Sequence, residues 1–179
     1  MAEEVERSDS KSEIDLWERF KSDEMEPDTH DAEVVVTLVG MRLAKEGVEF
    51  IFTGVAEECE ACRLRNSCTN LDEGRRYRVV KVRSGTEHDC PIHDGGVIAV
   101  EVIEPPIRAA IESKKCFDRS KIIYDPGVCR FIDCEFRDFC FAPGLVKGDK
   151  YIIQNVLGDL EDGCKDGRSL KLVELKRAV

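Results

Sequence analysis

The residues best equipped for chemistry are cysteines, nine of them in 179 residues. Three lie in Cys59-Glu-Ala-Cys62-Arg-Leu-Arg-Asn-Ser-Cys68. Three more lie in Cys129-Arg-Phe-Ile-Asp-Cys134-Glu-Phe-Arg-Asp-Phe-Cys140. Both stretches end in a cysteine pair separated by five residues. Each then reaches a Gly-x-x-Tyr signal, Gly74-Arg-Arg-Tyr77 and Gly148-Asp-Lys-Tyr151. Thirteen residues beyond each tyrosine stands a further cysteine, Cys90 and Cys164. The chain therefore holds two four-cysteine sets, Cys59, Cys62, Cys68 and Cys90, then Cys129, Cys134, Cys140 and Cys164. Cys116 is left over. It aligns near Ala44, where the first copy has no cysteine, and so reads as a spare thiol.

Four thiolates can surround a tetrahedral ion or hold the corners of an iron–sulfur cubane. Zinc prefers Cys₄ sites with zinc–sulfur distances of roughly 2.3 Å and usually uses two tight Cys-x-x-Cys knuckles. Only Cys59-x-x-Cys62 has that form. A cluster is wider than one ion and tolerates ligands spread along a loop. The spacing therefore favours two iron–sulfur clusters of the 4Fe–4S kind, with two zinc ions as the alternative. Disulfides rank below both. No apolar run approaches a membrane span, and the acidic opening lacks the form of a signal peptide. A cytoplasmic, reducing location with no membrane partner is expected, where structural disulfides are rare. His88 and His93 flank Cys90, but nothing matches them near Cys164. A surface turn is their expected home.

The cysteines need elements to position them, and the β-rich pattern supplies these. Strands are predicted over Val34–Val39, Val48–Phe52, Tyr77–Arg83 and Val97–Ile103. Pro105-Pro106 interrupts the pattern, since neither residue donates to a ladder. It restarts with Ile107–Ile111, Lys121–Tyr124, Tyr151–Leu157 and Ser169–Leu175. Val39 maps to Ile111 and Cys68 to Cys140, both 72 residues on, and Tyr77 maps to Tyr151, 74 on. The fold class is mainly β, with minor α+β character, built from two tandem pseudo-symmetric units by duplication. The units span residues 34–104 and 107–179, each with a four-cysteine metal site. Within each unit the third strand can return Cys90 or Cys164 to its own cluster. The rival is a crossed arrangement in which Cys90 serves the second site.

The charge is uneven. Residues 1–33 carry 4 basic and 13 acidic side chains, or −9, and the remainder carries 23 and 24, or −1, which together give the net −10. The acidic segment has too little apolar surface to offset its ordering entropy and is expected to be disordered. Its Ser12–Lys21 stretch could form a frayed helix, or a docking motif anchored by Trp17. The nearly neutral body lacks the basic excess of a nucleic-acid binder. Arg63, Arg65, Arg75, Arg76 and Arg78 gather near the first cluster. They could balance an anionic metal site, or form a docking face for an acidic redox partner or RNA. No phosphate loop, dinucleotide fingerprint, nucleophile elbow or His-Glu-x-x-His is present, so no catalytic residue is assigned.

With both clusters in view, the chain resembles uncharacterised protein family 0179, a mainly archaeal group. The resemblance covers about residues 34–175. It rests on Cys59-Glu-Ala-Cys62, Gly74-Arg-Arg-Tyr77-Arg-Val-Val, Pro105-Pro-Ile-Arg-Ala-Ala-Ile111, Ser113-Lys-Lys, Leu145-Val-Lys-Gly-Asp-Lys-Tyr151 and Gly158-Asp-Leu. It implies iron–sulfur redox centres at the two cysteine clusters and assigns no activity. An electron-transfer or redox-sensing role is therefore expected. The alternative is a zinc-stabilised binding module for protein or RNA.

Overall fold

The computed structural model describes residues 32–160 and 163–178. The acidic segment, including Ser12–Lys21, lies outside them except for Ala32 and Glu33. Two antiparallel four-stranded sheets follow one another along the chain. The first contains β1 (Val35–Gly40), β2 (Glu49–Ile51), β3 (Arg76–Val82) and β4 (Val97–Ile103), in the order β1-β4-β3-β2. The second contains β5 (Ile107–Glu112), β6 (Lys121–Ile123), β7 (Lys150–Asp159) and β8 (Leu170–Arg177), in the equivalent order β5-β8-β7-β6. Pro105-Pro106 sits between β4 and β5. Among the described residues helix is limited to α1 (Arg65–Cys68), α2 (Arg137–Cys140) and two 3₁₀ turns, Glu57–Cys59 and Ser113–Lys115.

The duplication extends to local irregularities. β3 loses register against β4 between Val79 and Lys81, and β7 loses register against β8 between Ile153 and Asn155. These bulges are 74 residues apart, the same offset as Tyr77 and Tyr151. A bulge adds twist and bends its strand, so each sheet curls around its own core. Val39, Tyr77, Val79, Val100 and Val102 fill the first. Ile111, Tyr151, Ile153, Val173 and Leu175 occupy the matching places in the second. The helix-forming residues of Ile107–Ile111 yield to this burial. Ile107, Ala109, Ala110 and Ile111 are all buried, because β5 packs against α2 as well as β8.

The Gly-x-x-Tyr signal is structural. Gly74 and Gly148 adopt φ of +79° and +92°, a left-handed geometry that glycine accepts without a Cβ clash. Their N–H groups donate to Phe52 O at 2.7 Å and Tyr124 O at 2.9 Å. Three residues on, each tyrosine hydroxyl accepts a backbone N–H, from Asp72 to Tyr77 and from Val146 to Tyr151, both at 2.9 Å. The motif closes the cysteine loop and starts the third strand.

The two sheets meet through side chains at equivalent positions. Arg75 and Asp149, 74 residues apart, form an ion pair. Glu104 and Arg177, 73 apart, pair at 3.0 Å. Contact between equivalent residues is the mark of an isologous, two-fold arrangement. Arg75 is buried and also donates to Tyr151 Oη at 3.4 Å. Gly144, at φ +96°, lets the chains approach: a Cβ there would lie 2.5 Å from Arg76 Cβ.

Candidate metal centre

Each cysteine set is carried by the same kinds of segment. Cys59 ends the 3₁₀ turn, Cys62 follows in the next turn, and Cys68 ends α1. In the second unit Cys129 and Cys134 lie in the loop after β6, and Cys140 ends α2. The helices are too short to hold themselves, so strands anchor them. α1 packs on β1, where buried Thr37 donates its hydroxyl to Ser67 O at 3.0 Å. α2 packs on β5, and Tyr124 donates to Cys140 O at 3.1 Å. Cys90 and Cys164 come from the loops joining the third and fourth strands. His88 and Val97 exchange backbone hydrogen bonds of 2.9 and 2.8 Å, which pins the Cys90 loop to the start of β4. Lys165 donates to Asp133 O at 3.2 Å, tying the Cys164 loop to the Cys129–Cys134 loop.

All nine cysteines are free thiols. In the second unit Cys129, Cys134, Cys140 and Cys164 line one cavity, together with Phe131, Phe141 and Arg168. Burial pushes the Cys140 thiol up to about 11; Arg168 opposes this, and the charges of Cys164, Cys134 and Cys129 add to it. In the first unit burial, followed by the charges of Cys62, Cys90 and Cys59, pushes Cys68 up to about 11. Each set thus feels its own downstream cysteine. Among the described residues no group of three or more His, Cys, Asp or Glu side chains is arranged to hold a metal ion. The second set instead shares a cavity. Binding a metal would require these thiols to lose their protons, so loading is coupled to pH.

The surroundings of the two sets differ. At the first, Leu64 N–H donates to Cys62 Sγ at 3.4 Å, and Cys90 Sγ lies 3.3 Å from His93 Nδ1. His93 occupies an exposed turn, yet it touches a cysteine. A cleft of about 450 Å³ opens beside this set, with Cys59, Cys68, Leu43, Phe52 and His93 in its wall. The equivalent cleft of the second unit is about 110 Å³ and is lined by Glu112, Lys115, Tyr124 and Arg168.

Arg168 is the residue that sequence reasoning missed. Its Nε and Nη2 atoms are buried and complete no hydrogen bond; Asp166 Oδ2, 3.7 Å from Nε, is beyond hydrogen-bond reach. Burial pushes the Cys164 thiol up, but the N–H groups of Arg168 and Asp166 and the Arg168 guanidinium together hold it below its ordinary value. A half-buried cation with two buried, open donor atoms beside four thiols fits an anionic metal–thiolate group. The donor set is thiol-rich and soft, as iron–sulfur clusters and zinc both require.

Cys116 stands apart. It packs on the second core, with its thiol 3.4 Å from Glu112 O, and lines neither cavity. The arginine group near the first set is dispersed. Arg75 is buried between the sheets, and Arg76 and Arg78 pair with Glu49. Only Arg63 and Arg65 remain exposed in the cysteine loop. Among the described residues these five arginines do not form one continuous face. Among the described residues no helix is long and apolar enough to cross a membrane.

The profile of the uncharacterised protein family UPF0179 matches residues 35–175. A UPF0179 protein of Methanosarcina acetivorans is 47% identical over 145 residues, covering 81% of this chain and 97% of the relative. One from Archaeoglobus fulgidus is 42% identical over 144 residues, covering 80% and 94%. One from Methanococcoides burtonii is 44% identical over 146 residues, covering 81% and 97%. No solved structure matches the chain. A match across both sheets and both cysteine sets, with archaeal relatives covered nearly end to end, means that the chain belongs to UPF0179.

Proposed function

We propose that this protein carries two iron–sulfur clusters, of the 4Fe–4S kind, and works in electron transfer or redox sensing in the cytoplasm. Cys59, Cys62, Cys68 and Cys90 hold one cluster; Cys129, Cys134, Cys140 and Cys164 hold the other. The observation that carries this reading is the second cavity. Four cysteines from two separate loops line it, and the half-buried Arg168 beside them has two buried nitrogen atoms that complete no hydrogen bond. Bound clusters would supply one-electron chemistry. The chain supplies the thiols, the loop anchors and the hydrogen bonds to sulfur that tune such centres. The electrostatic grouping of each downstream cysteine with its own set supports uncrossed ligand sets.

Structural zinc is the competing reading. It draws on the Cys59-x-x-Cys62 knuckle, whose Cys62 Sγ already accepts a backbone N–H. Metal and sulfide analysis of anaerobically purified protein separates the two. Iron with acid-labile sulfide and broad visible absorption supports the clusters. A colourless protein with two zinc ions per chain supports the structural alternative.

A further inference from the structure

We propose that Arg168 is a dedicated counter-charge for the second centre, and that it makes this centre the slower of the two to release its metal. The proposal rests on the functional reading above and concerns the inequivalence of the two sites. Arg168 lies in the wall of both the four-cysteine cavity and the small adjoining cleft, so its side chain separates them. Among the described residues its buried Nε and Nη2 complete no hydrogen bond; Asp166 Oδ2 stands 3.7 Å from Nε as an ion-pair partner, and the guanidinium feels Cys164, Cys140 and Cys129. A buried donor left without an acceptor is unfavourable, and more so when it is charged. The arrangement is therefore explained best by an acceptor that arrives from outside the chain. Metal–thiolate groups are anionic and accept hydrogen bonds at sulfur, so they match both the charge and the open donors.

The duplication provides an internal control. The Cys90-to-Cys164 offset of 74 aligns Arg168 with Asp94, and the strand offset of 73 that resumes at Leu170 aligns it with Gly95; neither is a cation. Asp94 is 80% exposed and pairs at 2.5 Å with Arg42, turned away to solvent. Among the described residues no guanidinium lines the first cleft, which measures about 450 Å³ and reaches Cys59 and Cys68. The cysteine sets are alike and the strands match, but the surrounding charge is not shared. The difference belongs to the sites and not to the scaffold.

The test is metal release to EDTA from the loaded whole chain, comparing wild type, Arg168→Gln and Arg168→Lys. Loss of an outer partner of a metal ligand typically weakens a site by about 10–100-fold. Arg168→Gln should speed release from one centre by that factor and leave the other unchanged. Arg168→Lys, which keeps the charge, should restore most of the difference. A Gln variant that loads only the first centre, while the Lys variant loads both, supports the same conclusion. Equal release from wild type and Arg168→Gln would overturn the proposal. Equal acceleration at both centres would also overturn it, as would a Lys variant that behaves like Gln. A chain that binds no metal at all overturns the functional reading, whereas two loaded centres with unchanged release overturn only the role of Arg168.

Discussion

At the scale of single residues, position relative to the repeat separates the eight repeated cysteines from the spare one. Cys116 has no counterpart in the first unit, and its thiol donates to the Ile111 and Glu112 carbonyls at the end of β5. Cys116→Ser should therefore leave metal content unchanged, with a stability loss of about 1 kcal/mol or less. Cys90→Ser should remove metal from the first centre alone; loss at the second would instead show crossed ligands. Tyr124 gives a pH signature. Burial pushes its phenol up to about 12, above the ordinary value of about 10. A raised folded pKa stabilises the protein fully below pH ~10 and is lost as pH rises through the folded value. Tyrosinate absorbance should show a tyrosine ionising well above the ordinary value, and Tyr124→Phe should remove that step and flatten that part of the stability curve. The eight repeated cysteines were legible in the sequence because spacing reports them. Arg168 and the His93 contact were not, since both depend on where a loop side chain turns, and neither has a like residue in the other copy.

At the scale of elements, strands were legible because burial on one or both faces imposes alternation or a β-branched run. Val97–Ile103 agrees with β4 at both ends. Ile107–Ile111 carried a weaker signal, since two alanines favour helix; packing between α2 and β8 decides it as strand. The short helices under Cys68 and Cys140 left no periodic trace, because four residues make barely one turn. The tyrosine hydroxyls show how the repeat holds these loops. Tyr77→Phe removes the acceptor for Asp72 N–H, and Tyr151→Phe the acceptor for Val146 N–H and for Arg75, without changing ring packing. Each should cost about 1 kcal/mol, measured by denaturant unfolding with metal bound. A neutral result for both would show that these bonds do not hold the cysteine loops.

At the scale of the whole molecule, the two units are similar in backbone and divergent in charge. A symmetric pair of identical units would set like residues against each other at the Arg75–Asp149 and Glu104–Arg177 positions. Opposite charges there suit two different halves in one chain. Arg75→Ala strands Asp149, which is partly exposed, and should destabilise the protein by about 1–3 kcal/mol in thermal or denaturant melts. The same divergence places a counter-charge at one cysteine cavity and an open cleft at the other. The central claim is that both cysteine sets hold iron–sulfur clusters. The most direct test is iron, sulfide and zinc content of anaerobically purified chain, measured beside Cys90→Ser. The account predicts iron and sulfide for two clusters in the wild type and for one in the variant; zinc in their place, or no metal in either protein, would contradict it.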